Sequence, residues 1–453
     1  MPRFAIASFA ALLLSVYTQA QAAPPAEMPL KPAFDYAFPL QEMAKLRLAR
    51  LGDGQTPTEF RLNQWIHMRA LLGPADRRVT APNNDTLYSL AWLDLANGPV
   101  RLSLPDTKGR YYSVAVLDMY TNNVAVLGRR TGGTRAREVL LVGPRWQGPL
   151  PEGQQVVQST TNDVLLLSRM LVDGPADLPA VHALQDQLKL TPLAQAPAQP
   201  LWISAPLVPA SDTSPMAAAR RYLEMVNEML ARNPPPAYEQ AKLDAWAAIG
   251  VCGARCRWNQ LSPEIQQRWA TELPGLLAEL KRNASLGKPQ PGGWTKPLDT
   301  LGDFGTDYRY RADVALTGLL ALIPPEDSNA TVKVDGRGEP LSGQHRYRLS
   351  LPAGGMPVDG FWSLSMYQEE PDGRLFFTDN PLKRYTLGDR TPGLKRGADG
   401  SVVIEVGNSQ PTDAAANWLP APTGPFMLVM RAYQPRAEVL DGRFQMPAVQ
   451  RLD

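Results

Sequence analysis

Tyr111-Tyr112-Ser113-Val114-Ala115-Val116-Leu117 is apolar or aromatic at every position but Ser113. That composition belongs to a strand covered on both faces. Working outward, Val100, Leu102 and Leu104 alternate with Arg101 and Ser103, the two-residue period of a half-buried strand. Gly132-Gly133, Gly143-Pro144 and Gly148-Pro149 punctuate the chain beyond, and Asp163 to Leu167 reads as another strand. On the N-terminal side, the Pro-rich stretch from Ala23 to Pro39 reads as a linker, and Trp65, Met68 and Leu72 recur at helical spacing. A β-rich domain therefore fills the first part of the chain.

The alternation stops near Leu190. A Pro- and Ala-rich connection, Pro192 to Pro209, leads to Ser214-Pro215, a capping residue followed by proline at the first helical position. Met216, Ala219, Leu223, Val226 and Leu230 then share a helical face until Asn233 and Pro234 to Pro236 stop it. Further helices are expected over Tyr238 to Ile249 and Glu264 to Leu280. From about Ala330 strands return: His345, Tyr347, Leu349 and Leu351 oppose Arg346, Arg348 and Ser350. Phe361 to Tyr367, Arg374 to Thr378, Ser401 to Val406 and Phe426 to Tyr433 continue the pattern. Short strands between turn residues, without interleaved helices, imply a sandwich or jelly roll.

Composition limits the function. The 453 residues carry 44% hydrophobic and 20% charged residues, a globular balance. A net charge of +2 with scattered Lys and Arg gives no footprint for nucleic acid. Arg3, the apolar run Phe4 to Val16 and the tail Ala20-Gln21-Ala22 make residues 1–22 a secretory signal peptide, cleaved near Ala22-Ala23, and no later run is long enough to span a membrane. The expected location is periplasmic. There Cys252 and Cys256 form a local disulfide. His67, His182 and His345 are too dispersed for a metal cluster, so no metal is expected. The serine elbow, the zinc helix H-E-x-x-H and the phosphate loop are all missing.

Two polar clusters stand at strand ends. Pro82-Asn83-Asn84-Asp85-Thr86-Leu87-Tyr88 recurs in character at Asp118-Met119-Tyr120-Thr121-Asn122-Asn123. Such residues hydrogen-bond polar ligands, and they also stabilise turns. Arg431 shares a strand face with Met427, Val429 and Tyr433, so it needs a paired acid or an anionic ligand. Arg169 and Asp173 are read the same way. Trp362, Tyr367 and Trp418 either stack on a sugar or aromatic ligand or fill a core.

The segment from Pro82 to Tyr88, with Trp92-Leu93-Asp94-Leu95 and Gly109-Arg110-Tyr111-Tyr112, resembles the bacterial family called domain of unknown function 1254. Asp359 to Tyr367, Asn380-Pro381-Leu382-Lys383-Arg384-Tyr385, Asp399-Gly400-Ser401 and Asn417 to Pro422 resemble its usual partner, domain of unknown function 1214. The resemblance implies an immunoglobulin-like sandwich, a helical domain and a C-terminal jelly roll: a mainly β chain with an α-helical insert. It implies no established activity. Pro325-Glu326-Asp327-Ser328-Asn329 departs from the acidic and aromatic turn that such proteins often carry after the segment here spanning Tyr308 to Ala312. The expected divisions are 23–205 for N-terminal helices and the β-sandwich, 206–329 for the helical domain and 330–453 for the jelly roll.

Two functional readings follow. The first is an enzyme acting on a small polar or glycan-like molecule without an organic cofactor. In it Asp85 or Asp118 serves as acid or base, Tyr88 and Tyr120 as donors and Arg110 as an anion clamp, with Asn83, Asn84, Asn122, Trp362, Tyr367, Arg384, Trp418 and Arg431 as ligand contacts. The second is a non-catalytic ligand-binding or protein-interaction module using the same loops. Two carboxylates close to Tyr and Arg in a deep site favour the first; a shallow aromatic groove favours the second. Oligomeric state is open.

Overall fold

The computed structural model describes residues 27–52, 60–77, 80–193, 211–371, 373–413 and 416–453; the expected signal peptide lies outside them. The first element, α1 (Lys31–Leu51), corrects the linker reading of the Pro-rich stretch. Pro32 sits in the first turn, where an N–H has no helical partner to lose. Pro39 lies inside the helix and costs about 3 kcal/mol there, offset by burial of Phe34, Tyr36, Phe38, Leu40 and Met43. The helix expected around Trp65, Met68 and Leu72 does not form. Ile66–His67 is instead a short strand, β1, because the Met68 N–H is taken by the Tyr88 carbonyl at 2.8 Å.

The N-terminal sandwich follows as β2 (Thr86–Asp94), β3 (Val100–Leu104), β4 (Tyr112–Leu117) and β5 (Asn123–Gly128). After the short helix α2 (Arg129–Gly132) come β6 (Arg137–Val142), β7 (Gln155–Gln158) and β8 (Asp163–Leu171), then α3 (Leu178–Gln185) and β9 (Lys189–Pro192). One sheet has the order β1-β2-β8-β4-β5 and the other β7-β6-β3-β9. Leu93, Val114, Val116, Val164 and Leu166 from the first meet Leu102, Val139 and Leu141 from the second, forming the immunoglobulin-like core.

The helical insert contains α4 (Pro215–Arg232), α5 (Gln240–Trp246) and α6 (Pro263–Asn283). Ser214 Oγ accepts from the Ala217 N–H at 3.2 Å and Ser262 Oγ from the Ile265 N–H at 3.3 Å; each cap is worth about 1 kcal/mol. Cys252 and Cys256 are disulfide-bonded in the loop between α5 and α6. Strands β10 (Gly287–Pro289) and β11 (Trp294–Pro297) leave the insert for the next sheet before α7 (Tyr308–Thr317) returns to it. Leu223, Val226, Trp246 and Trp269 join α1 and the sheet residues Leu90, Trp92, Ala115 and Leu167 in one core. Among the described residues no helix is long and apolar enough to cross a membrane.

The jelly roll is built from β12 (Asp327–Val332), β13 (Tyr347–Leu351), β14 (Val358–Glu369), β15 (Leu375–Phe376), β16 (Thr386–Gly388), β17 (Val402–Gly407), β18 (Asn417–Pro420), β19 (Phe426–Pro435), α8 (Ala437–Leu440) and β20 (Gln450–Arg451). Its large sheet runs β10-β11-β12-β19-β14-β15, with β16 also on β14, and the small one β18-β17-β13-β20. Trp362, Leu364, Leu428 and Met430 of the large sheet pack on Leu349, Ile404 and Leu419 of the small one. The other face of the large sheet looks toward the N-terminal sandwich, where the Tyr111, Phe361 and Tyr433 rings meet.

Candidate functional site

On a pleated sheet, residues opposite one another across neighbouring strands share a face. On the large jelly-roll sheet, Asp327, Tyr433 and Phe361 form one such row, and Asn329, Arg431 and Ser363 the next, with Ser365 two residues on along β14. On the facing N-terminal sheet, Tyr88, Arg169 and Ser113 form a row. The turn before β2 brings Asn83 and Asp85 between the two. Each sheet thus turns polar residues toward the other, bordered by the aromatic cluster of Tyr111, Phe361 and Tyr433.

The contacts across the gap are specific. Ser363 Oγ donates to Asp85 Oδ2 at 2.6 Å, and Asn83 Nδ2 donates to the Tyr433 hydroxyl at 2.5 Å. Asn83 Oδ1 accepts the Asp85 N–H at 2.7 Å, which sets the turn that aims Asp85. Arg431 donates to Ser365 Oγ at 2.8 Å and to the Ala81 carbonyl at 3.2 Å; Arg169 donates to the Leu320 carbonyl at 3.1 Å and lies 5.3 Å from the Tyr88 ring. The acid expected against Arg431 is not in contact with it: among the described residues neither guanidinium makes an ion pair with a carboxylate. Arg169 does not pair with Asp173, whose oxygens hold Arg390 of the jelly roll at 2.5 Å.

Burial governs the electrostatics. Arg169, Asp327 and Arg431 are 8%, 7% and 6% exposed. Burial pushes the Asp85 carboxyl above its ordinary range against the pull of Arg431 and Ser363. It pushes Asp327 up to about 6, against Arg431, Arg169 and Asn329, with Asp85 adding to the rise. Burial also opposes the Arg431 charge, but Tyr367, Tyr433, Asp85 and Asp327 outweigh it, so Arg431 stays charged. Asp327 Oδ1 and Arg169 Nη1 are buried without a hydrogen-bond partner among the described residues, a costly state for a group that only holds the fold together.

Asp163 supplies the contrast. Arg47 and Arg232 hold its carboxylate at 3.2 and 2.7 Å, with Asn233 at 3.0 Å. Although burial works the other way, those partners bring it below the ordinary carboxylate range. Asp163 is thus a buried acid held by two cations, whereas burial raises the Asp118 pKa as it does that of Asp327, and there four hydrogen bonds from neutral donors hold the carboxylate in its turn.

The residues singled out in the sequence fall into several neighbourhoods. Asn83, Asp85, Tyr88, Tyr367 and Arg431 come together; the Tyr367 hydroxyl donates to the Pro82 carbonyl at 2.6 Å, and its ring lies 5.7 Å from the Arg431 guanidinium. Asn84 points elsewhere, to the Leu72 carbonyl. Asp118 lies at the far end of the same sheet. β2 and β4 both run antiparallel to β8, and Asp85 and Asp118 stand level with Val172 and Val164, a separation of roughly 26 Å at strand rise. The Asp118 carboxylate is occupied by the N–H groups of Tyr120 and Asn122, the Asn122 amide and the Thr160 hydroxyl, at 2.7 to 2.9 Å. Tyr120 donates to the Asn233 carbonyl at 3.2 Å. Trp362, out of phase with Phe361 and Ser363, fills the jelly-roll core. Arg384 donates to the Trp418 carbonyl at 2.8 Å, and the Trp418 indole to Gly407 at 3.0 Å, so this pair braces its own loops. Arg110 is held by Asp177 at 2.5 and 2.7 Å.

Sequence reasoning missed Asp327, Ser363, Ser365 and Tyr433, and named Arg169 only beside Asp173. One signal was present. Ser363 and Ser365 interrupt an otherwise apolar strand two residues apart, which places both on one face.

Beside the polar cluster lies an open cleft of about 770 Å³ between the two sandwiches. Tyr111 and Phe361, rings 5.3 Å apart edge to face, belong to its wall and touch Tyr433 on their inner side. Tyr111 donates to Glu326 Oε1 at 3.0 Å, and Arg130 to Glu326 Oε2 at 2.7 Å.

Fold and site together define a two-sandwich protein with a helical insert and a buried polar cluster where the sandwiches meet. Residues 62–192 match the family described as Protein of unknown function (DUF1254) and residues 326–437 the one described as Protein of unknown function (DUF1214), and the chain belongs to the proteins that pair these two domains. The crystal structure of the VPA0106 protein from Vibrio parahaemolyticus is similar, with 26% identity and a TM-score of 0.69 over 93% of this chain and 98% of that one. An uncharacterised protein from Burkholderia cenocepacia matches at 14% identity and a TM-score of 0.44, over 96% and 92% of the two chains. No curated protein matches the chain.

Proposed function

We propose that the protein is an enzyme that moves a proton on a small polar molecule, with Asp327 and Asp85 as the acid–base pair. One observation carries the reading: two carboxylates of raised proton affinity, Asp327 buried and Asp85 half-buried, face two buried guanidiniums without pairing to them. A general base works best with a pKa near the working pH, and about 6 for Asp327 meets that need. Arg431 and Arg169 would stabilise negative charge developing on the substrate in a site of low dielectric. Tyr433 and Tyr88 would orient it, and it would enter from the cleft past Tyr111 and Phe361. Asp118 and Tyr120 have no part in this chemistry.

The test begins with a screen of polar metabolites and glycans for turnover by the full chain. With a substrate in hand, Asp327→Asn and Asp85→Asn should each lower kcat by roughly a hundredfold or more, the usual scale for loss of an acid or base. Turnover equal to the parent's in both variants, at matched melting temperatures, removes the reading and favours a non-catalytic binding module.

The compartment of action is proposed to lie outside the cytoplasm. The apolar run Phe4 to Val16 and the bonded Cys252–Cys256 pair support it. N-terminal analysis of fractionated protein should find a start near Ala23; full-length chain retained in the cytoplasm overturns the idea.

A further inference from the structure

We infer that the cleft between the sandwiches binds a small organic anion, a carboxylate on a short apolar body, through Arg129 and Lys108. The inference names a substrate class for the proton-transfer reading and rests on it for the chemistry that follows, but not for binding.

Four cations line the cleft, and they are not equivalent. Arg110 and Arg390 are each gripped by both oxygens of an aspartate, Asp177 and Asp173 respectively. Their charges are largely spent, and the second pair ties one sandwich to the other across the cleft. Arg129 differs. Its Nη1 reaches the Asp359 carbonyl at 2.9 Å and the Gln434 amide oxygen at 3.3 Å, both neutral acceptors. They orient the guanidinium without neutralising it, and among the described residues no carboxylate lies within ion-pair distance of it or of Lys108. Asp106 adds an acid to the same wall, but one of its oxygens accepts the Lys108 backbone N–H at 2.8 Å.

Ala180 and Ala183 of α3, both exposed, and the half-buried Leu184 supply the apolar side of the cleft. A pre-oriented planar guanidinium with unused donors matches a carboxylate. The apolar strip matches a short hydrocarbon or ring better than the hydrated sphere of inorganic phosphate. A cleft of about 770 Å³ lies within the usual range for small-molecule sites.

The test uses the full chain and three probes, benzoate, benzamide and inorganic phosphate, read by calorimetry and ligand-observed NMR. Benzoate should bind saturably, with benzamide and phosphate each at least about tenfold weaker. A hydrogen bond to a charged partner contributes enough that Arg129→Gln should weaken benzoate by about tenfold or more. Lys108→Gln, on an exposed turn, should weaken it by less and leave the melting temperature unchanged. Equal binding of benzoate and benzamide, phosphate binding as tightly as benzoate, or an Arg129→Gln protein of parental affinity overturns the inference. Asp327→Asn separates the two readings: it should keep benzoate affinity. Turnover unharmed in that variant and in Asp85→Asn sinks the proton-transfer reading alone, whereas failure of benzoate to bind sinks this inference alone.

Discussion

Replacing Asp327 by asparagine should make the protein more stable at neutral pH, the opposite of what loss of a structural acid does. Asparagine keeps the size of the side chain and mimics the protonated carboxyl. Burial raises the Asp327 pKa from the ordinary 3.8 to about 6, so the folded state prefers the neutral form. Its contribution is complete below pH 4 and is lost as pH rises toward 6. At about 1.4 kcal/mol per pH unit, ionising this one group costs the native state about 3 kcal/mol at pH 7 and above. Denaturant midpoints of both proteins between pH 4 and pH 8 give the measurement. The curves should coincide at pH 4, separate between pH 4 and 6, and run parallel above, with the variant more stable by up to about 3 kcal/mol. An Asp327→Asn protein less stable than its parent at pH 8 would refute the reasoning and place Asp327 with Asp163 as a structural acid.

Asp163→Asn is the companion experiment. It removes the charge that Arg47 and Arg232 share, leaving Asp94 at 4.0 Å from Arg232, and the stability measured by denaturant at pH 7 should fall by about 3 kcal/mol. For the enzyme reading, kcat/KM should rise with pH as Asp327 loses its proton and level off above about pH 6; a profile flat from pH 4 to 8 counts against Asp327 as the base. Thiol labelling of exported, denatured, unreduced protein should find neither Cys252 nor Cys256 reactive. Because only four positions separate them, Cys252→Ser with Cys256→Ser should cost less than the roughly 3 kcal/mol of a typical bridge, as read from thermal melts.

Periodicity made the strands legible wherever burial was two-sided or strictly alternating, as in β3, β4, β8 and β19. Ser214-Pro215 marked the start of α4 to the residue, because cap and proline are local chemistry. α1 was hidden for the same kind of reason: two prolines lie among its first nine residues, and Ala33 to Leu40 is buried on every side, so no polar face betrays a helical period there. Asp85 was legible from its polar neighbours and Arg431 from a charge on an apolar strand. Asp327 was not, since it meets Arg431 only through strand pairing and Asp85 only when the two sandwiches dock. Asp118 resembles Asp85 in its neighbours, but likeness of loops carries no information about which end of a sheet each occupies.

α1 has a consequence for how the chain must come to its shape. Its Phe34 carbonyl accepts from Tyr222 at 3.3 Å, its Tyr36 hydroxyl donates to Glu239 at 2.6 Å, and Arg311 reaches the Tyr36 carbonyl at 3.1 Å. Every one of those partners is translated long after α1 itself. The aromatic residues of α1, Phe34, Tyr36 and Phe38, must therefore wait for the insert before those bonds close, although the helix also meets Leu90, Trp92, Ala115 and Leu167 of the sandwich. Contacts so distant in sequence slow folding, and an exposed apolar segment in the meantime invites aggregation. Refolding yield should accordingly depend on protein concentration and improve with any chaperone that shelters α1 until the insert has formed.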